Sequence, residues 1–222
     1  MKRNSSGIRL LAFLAVIAFG TGCSTAVVKP KIYSPSGFLP DYSILQPSLE
    51  LAGVQSYIDS SKNLTTYHMV ILDEVKVMPT VGNEPVPPQA TKHLGSRFSQ
   101  GVKQALRNGY PVVTKPGYGI LKLRMAITNA AITPAQLSPN SPYSGYNLDD
   151  AYLEGEFRDS MSGELVAAFV APQFGLPQDS TWSRVDSNVR TATQLSQWAM
   201  ILRDRLYEAR GLPPSSNFQP QY

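Results

Sequence analysis

Apolar and polar residues alternate in several stretches of the chain, as they do in half-buried β-strands. In residues 119–129 four apolar side chains share one face: Leu121, Leu123, Met125 and Ile127. Residues 151–159 repeat the alternation, and residues 164–170 follow as an apolar strand after a turn that ends at Gly163. Because so short a turn joins these two strands, we expect them to be antiparallel neighbours. Residues 67–78 predict a further strand that begins nearly all apolar and then alternates, as expected of a central strand leaving the core.

Apolar residues recur every three or four positions in two other stretches, which predicts amphipathic helices. The first helix spans residues 91–108, and its apolar face carries Leu94, Phe98, Val102 and either Ala105 or Leu106. The second spans residues 186–210 and ends at Gly211, which two prolines follow. Together these elements favour an α+β fold with a mixed, mainly antiparallel sheet and two helices packed on one face.

The first residues have the order of a secretory signal peptide. Lys2 and Arg3 precede an apolar run at residues 10–19, and small residues lead from there to Cys23, the only cysteine of the chain. The run is too short to cross a membrane as a stable helix. This arrangement resembles the lipobox of bacterial lipoproteins, although Gly20 stands where the lipobox usually has leucine. The resemblance implies a lipid, with palmitate among its acyl chains, on Cys23 and removal of residues 1–22.

The same resemblance predicts where in the cell the protein lies and how the chain is divided into segments. Ser24 follows the cysteine, and in the usual sorting rule this favours a periplasm-facing lipoprotein of the outer membrane over one of the inner membrane. Residues 23–36 combine the lipidated cysteine with a tether, because they hold prolines and no apolar period. We expect residues 37–214 to form a single domain and residues 215–222 to form a loose tail.

The positive charge of the chain depends largely on the leader. The formal net charge is +4, but Lys2, Arg3 and Arg9 precede Cys23 and no acidic residue does, so the mature chain has a net charge of +1. A chain so close to neutral gives no electrostatic reason to expect nucleic acid as a partner.

One segment resembles a known family. Residues 36–45, SGFLPDYSIL, are similar to the opening motif of a lipoprotein family known as domain of unknown function 3313, or DUF3313. Residues 67–77, the hairpin at residues 152–163 and Trp198-Ala199 also fit that family. The resemblance implies an envelope lipoprotein, and it brings no established activity, ligand or catalytic residue. From the residues themselves we expect 37–45 to be a packed irregular segment.

The sequence offers few groups for catalysis or metal binding. Its two histidines, His68 and His93, have no ligand spacing around them, so we expect neither a metal nor another cofactor. Glu154 and Glu156 share a strand face and could form a carboxylate pair, but a solvated charged face on an outer strand is the favoured interpretation. Asp73 and its neighbour Glu74 point to opposite faces of a strand and cannot share a ligand.

Aromatic residues offer a candidate binding patch. The long loop at residues 133–150 and the next loop, at residues 172–183, are rich in turn-forming residues, and long loops of this kind are often functional. Both loops carry or adjoin aromatic side chains, which suit binding surfaces: Tyr143, Tyr146, Tyr152, Phe174 and Trp182. The alternative is that these side chains only pin the loops onto the domain.

Three functions remain open at this point. The first is a non-enzymatic accessory or binding protein, held on the membrane by acyl chains on Cys23 and acting on an envelope protein partner. The second is an envelope hydrolase, which would need a pocket that gathers Glu154, Glu156 and a histidine. The third is a carrier of an apolar small ligand, which would need a hydrophobic cavity between the helices and the sheet.

Overall fold

The computed structural model describes residues 33–48, 51, 53–80, 85–172 and 184–212, so the leader, Cys23 and the predicted tail lie outside the described residues. The strands are β1 (Gln46–Pro47), β2 (Gln55–Ile58), β3 (Met69–Leu72), β4 (Lys76–Pro79), β5 (Ile120–Ile132), β6 (Tyr146–Asn147), β7 (Tyr152–Asp159) and β8 (Leu165–Ala171). The helices are α1 (Pro88–Leu106) and α2 (Ser187–Ala209).

The strands form one mixed sheet in the order β1-β2-β8-β7-β5-β3. The long strand β5 is its centre: β3 and β4 run parallel to successive parts of it, while β7 and the short β6 pair with it antiparallel. The remaining pairs, β7 with β8, β8 with β2 and β2 with β1, are antiparallel. The predicted fold class, α+β with a mainly antiparallel sheet, is therefore confirmed.

The strand predicted at residues 67–78 is wrong as a single element. It is two strands, because residues 73–75 bulge away from β5 between the pairs Leu72–Leu123 and Lys76–Ala126. Three residues on one side oppose two on the other, so the extra residue reverses the direction of the side chains that follow. In this bulge Val75 turns into the core, where it is 4% exposed.

Helices α1 and α2 cover one face of the sheet. Helix α1 begins at Pro88, three residues earlier than predicted, because proline suits the first helical position, where no N–H is needed. Helix α2 begins after Asp186, whose side chain accepts a hydrogen bond from the backbone N–H of Asn188. The rings of Phe98 of α1 and Trp198 of α2 meet edge to face with 6.1 Å between their centroids, and both belong to the core between helices and sheet.

The opposite face of the sheet is covered by residues 33–45, which we call the N-terminal strap. Leu39 and Leu45 are buried against this face, and Tyr33, Phe38 and Tyr42 are half-buried beside them. The prediction of a packed irregular segment at residues 37–45 is confirmed. The packing also includes Tyr33, so the ordered contacts begin before Gly37. No helix within the described ranges has the length and apolarity that membrane spanning requires.

Candidate functional site

Glu154 and Glu156 are fully buried, which overturns the interpretation of a solvated face on an outer strand. Their strand, β7, lies between β5 and β8 and is therefore central. The face that carries them is covered by the N-terminal strap, more than one hundred residues away in the sequence. The alternation along β7 correctly predicted that Glu154 and Glu156 lie on the same face of the strand, but it could not show which segment packs on that face.

Two arginines on the same face of the sheet neutralise Glu156. Arg124 pairs with Glu156 from the directly opposite position on β5, and Arg158 reaches its other carboxylate oxygen at 2.9 Å. The Phe38 ring of the strap lies 5.5 Å from the Arg124 guanidinium, in position for a cation–π contact. Glu156 therefore joins two strands and the strap, and its charge is compensated within the protein.

Glu154 is held by a tyrosine of the strap. The Tyr42 hydroxyl donates a 2.6 Å hydrogen bond to Glu154 Oε2, and the same hydroxyl accepts one from the Leu39 backbone N–H at 3.1 Å. Glu154 Oε1 and the nearby Tyr33 hydroxyl make no hydrogen bond within the described residues. Burial and the neighbouring Glu154 carboxylate raise the pKa of Tyr33 well above its usual value.

This arrangement does not provide the pocket that the hydrolase hypothesis requires. A histidine is missing from it, because His68 is exposed and bonds to the Thr66 carbonyl, while His93 is exposed on α1. In the described ranges no three side chains among histidine, cysteine, aspartate and glutamate are grouped as a metal site would need. The carboxylates instead fasten the strap to the sheet.

The predicted aromatic patch is divided by the structure. Tyr146 is buried between the helices and the sheet and donates a hydrogen bond to the Ala90 carbonyl of α1. Tyr152 is buried on the other face of the sheet, where its ring meets that of Tyr33. Tyr143 is half-buried against the helix-side core. These three tyrosines do not share an exposed surface, and Phe174 and Trp182 lie outside the described residues.

An apolar groove of about 420 Å³ lies between α2 and the sheet. Its lining comes from β2, β7, β8, the C-terminal half of α2 and the segment before β2, and includes Leu51, Val54, Leu153, Phe157, Trp198 and Leu202. Ile58 also lines the groove and is 57% exposed, so the groove reaches solvent beside it. This is the cavity between helices and sheet that a carrier of an apolar ligand would need.

The polar groups of the groove are few. Ser48 and Ser56 contribute hydroxyls, and Arg205 and Glu208 of α2 form an ion pair with each other at 2.8 Å. The sequence did not predict this site, because β2 is only four residues long and gave no strand pattern. Of the residues of α2 that line the groove, Ile201 lies beside the apolar stripe that the sequence predicted.

The family model described as "Protein of unknown function (DUF3313)" matches residues 34–200. The chain belongs to the DUF3313 family. The match takes in the strap, the sheet and the first half of α2, so the family resemblance of residues 36–45 is confirmed. Comparison with curated proteins finds no match.

Comparison with solved structures finds matches at low sequence identity and low TM-score. The PelC dodecamer from Paraburkholderia phytofirmans is 10% identical, with a TM-score of 0.36 over 72% of this chain and 97% of that chain. A DUF4136 family protein from Bacteroides thetaiotaomicron is 12% identical, with a TM-score of 0.34 over 69% of this chain and 96% of that chain. At these values the likeness carries no information on function.

Proposed function

We propose that this DUF3313 protein is a non-enzymatic binding protein, anchored by lipid on Cys23, that holds an apolar molecule in the groove between α2 and the sheet. The observation that carries the proposal is the groove itself. Its volume of about 420 Å³ lies within the range of small-molecule sites, which are mostly apolar and have a few polar groups. The hydrolase alternative loses its support, because the strap covers both carboxylates, Glu156 is paired with two arginines and Glu154 is hydrogen-bonded to Tyr42.

The chemistry of the lining suggests the class of ligand. The walls of the groove are aliphatic and aromatic. The charges of Arg205 and Glu208 neutralise each other in an ion pair. Removing apolar surface from water contributes about 25 cal/mol per Å², so binding would be driven by burial of an apolar molecule rather than by charge. An apolar or singly acylated molecule of the envelope fits this description.

Two features of the sequence support a location on the periplasmic side of the outer membrane. The leader and the lone Cys23 favour export and lipid attachment, and Ser24 favours the outer membrane and its periplasmic side. Two or more acyl chains make an anchor that dissociates slowly. The protein would then work beside a membrane that contains apolar molecules, as an accessory to an envelope partner.

The experiment fills the groove and measures the affinity of an apolar probe. Ser56 lines the groove from β2, and Ser56→Trp would place an indole ring inside it. Ser96 is exposed on α1 and does not line the groove, so Ser96→Trp is the matched control. Titration with the fluorescent probe N-phenyl-1-naphthylamine should give a dissociation constant at least ten times higher for Ser56→Trp than for wild type, and an unchanged one for Ser96→Trp.

Thermal melting of both variants shows whether they fold as the wild type does. Equal affinity in all three folded proteins would contradict the proposal, and so would the absence of saturable binding to the wild type. A native envelope lipid that displaces the probe from wild type would then identify the class of the natural ligand.

A further inference from the structure

Small residues surround Phe169 in the floor of the groove. Phe169 of β8 has Gly155 of β7 and Ser56 of β2 as its register partners on the two neighbouring strands. Ala167 and Ala171 flank it on β8, because residues two apart on a strand share a face. One large ring thus lies among four small residues. Three of these, Ser56, Ala167 and Ala171, line the groove, so the room above them belongs to it.

The ring of Phe169 leans over Gly155. A Cβ atom on Gly155 would lie 2.5 Å from two ring atoms of Phe169, Cε1 and Cζ. The ring therefore occupies the position that a side chain at 155 would take. Leu153 and Phe157, two residues to either side on β7, line the groove, but Gly155 does not. A ring that lies against the backbone of β7 takes up less of the groove than one that stands upright beside α2.

A ring packed on a glycine of the next strand also stabilises a sheet, which is the alternative interpretation of this contact. Two observations favour a role in the groove. Phe169 is only half-buried and lines the groove together with Phe157, whose ring centroid is 6.1 Å away. The close contact at Gly155 is made by the far end of the Phe169 side chain, whereas the nearest backbone atom, the Arg124 carbonyl oxygen, is 3.4 Å away. A side chain at 155 would therefore move the ring rather than the strands.

The groove is elongated along α2. Trp198, Leu202 and Ala209 all line it, and the helix rises 1.5 Å per residue, so the groove follows α2 for about 16 Å. A spherical cavity with the same volume of about 420 Å³ would be only about 9 Å across. An extended chain fills such a shape better than a compact molecule does.

We propose that the Phe169 ring, seated on Gly155, sets the width of the groove and thereby selects a ligand with one linear hydrocarbon chain. This selection rests on the proposed function, since it requires that the groove binds an apolar molecule. It adds the shape of that molecule and the two residues that determine it. A branch on the chain would meet the ring, which already lies against the backbone of β7 and has no room to withdraw.

The first measurement compares two isomers of one alcohol. 1-Decanol has a linear chain, and 2-propyl-1-heptanol has the same atoms in a branched chain, so burial removes a similar apolar surface from water for both. Each alcohol is titrated against N-phenyl-1-naphthylamine bound to the purified protein, and displacement gives its dissociation constant. We expect wild type to bind 1-decanol about ten times more tightly than its isomer. Phe169→Leu, which lacks the far end of the ring, should reduce that preference to less than about threefold.

The second measurement follows the ring with Gly155→Ala. The added methyl group would push the ring from β7 into the groove, so we expect the affinity for 1-decanol to fall about tenfold. Combining Gly155→Ala with Phe169→Leu should remove this loss, because the ring atoms that the methyl group meets are then absent. Phe157→Leu is the matched control, since it makes the same exchange at the neighbouring ring of the groove. The loss caused by Gly155→Ala should persist in that background.

Thermal melting shows which variants fold as the wild type does, and if Gly155→Ala does not fold, the preference of Phe169→Leu decides. Equal affinity of wild type for the two alcohols overturns the proposal. So does a preference that Phe169→Leu leaves unchanged, or a loss in Gly155→Ala that Phe169→Leu does not remove. In each of these cases the probe still binds, and the ligand site itself stands. Absence of saturable probe binding to wild type refutes the proposed function instead, and the selection of shape with it.

Discussion

The contact between Tyr42 and Glu154 shows how a distant side chain can determine whether a charged residue is exposed or buried. Glu154 alone on a strand suggests a charged, solvated face, yet a tyrosine hydroxyl from the strap meets it at 2.6 Å in a buried position. A buried charged group is costly unless it is hydrogen-bonded. We therefore expect the Tyr42 hydroxyl to contribute more to the free energy of unfolding than an ordinary surface hydrogen bond does.

Tyr42→Phe tests this value directly. The substitution keeps the ring but leaves Glu154 Oε2 and the Leu39 backbone N–H without the partner that Tyr42 gives them. We expect the free energy of unfolding, measured by urea denaturation, to fall by about 1–3 kcal/mol, as is usual when a buried polar group loses its partner. Tyr118→Phe, at an exposed position, should change it by less than about 0.5 kcal/mol. Equal effects of the two substitutions would show that the contact does not stabilise the strap.

At the scale of elements, a glycine of helix α1, Gly95, allows the helix to pack closely against the bulge between β3 and β4. A Cβ atom on Gly95 would lie 2.5 Å from the Val75 carbonyl oxygen, which is closer than such atoms can approach. The helix can approach the bulge this closely only because position 95 has no side chain. Gly101 lies on the same helix and has no such neighbour.

These two glycines make a matched pair for alanine substitution. Gly101→Ala should raise the free energy of unfolding by about 0.5–1 kcal/mol, because alanine favours the helix. Gly95→Ala gains the same helix propensity but must push α1 away from Val75, so we expect a net loss of about 1–3 kcal/mol. Urea denaturation of both variants measures this difference. A stabilising Gly95→Ala would show that the helix does not depend on the close approach.

At the scale of the whole molecule, the sheet separates two sets of contacts. Its helix side holds the main core and the groove, while its other side holds the strap, through which the chain from Cys23 reaches the body. The strap is held on this side of the sheet by packed side chains and by the hydrogen bond from Tyr42 to Glu154. The groove remains on the opposite face, where the strap does not cover it.

Cys23→Ser tests the anchor. Without the sulfur no lipid can be attached, and we expect the protein to leave the membrane fraction and appear in the soluble fraction of disrupted cells. Ser24→Ala keeps the cysteine and should stay with the membranes, at a mass that includes the lipid and lacks residues 1–22. A Cys23→Ser protein that still sediments with membranes would contradict the prediction that lipid on Cys23 holds the protein there.

Local sequence patterns were sufficient to predict β5, β7, β8 and both helices, because the spacing of apolar residues within each element depends on its own geometry. The resemblance of residues 36–45 likewise identified the family. The bulge at residues 73–75 was not predicted, since the adjacent Asp73 and Glu74 interrupt the apolar run but do not by themselves show that the strand holds an extra residue.

The sequence by itself determined the main elements, the fold class and the packed character of the strap, whereas the export signal at its start stays a prediction. The tertiary structure decided the burial of Glu154 and Glu156, the separation of Tyr146 from Tyr152 and the groove. The physical reason is range: the periodicity of an element shows which side chains share a face, whereas burial depends on distant segments that pack on that face. Tyr42 and Glu154 are 112 residues apart, and only the folded chain brings them together.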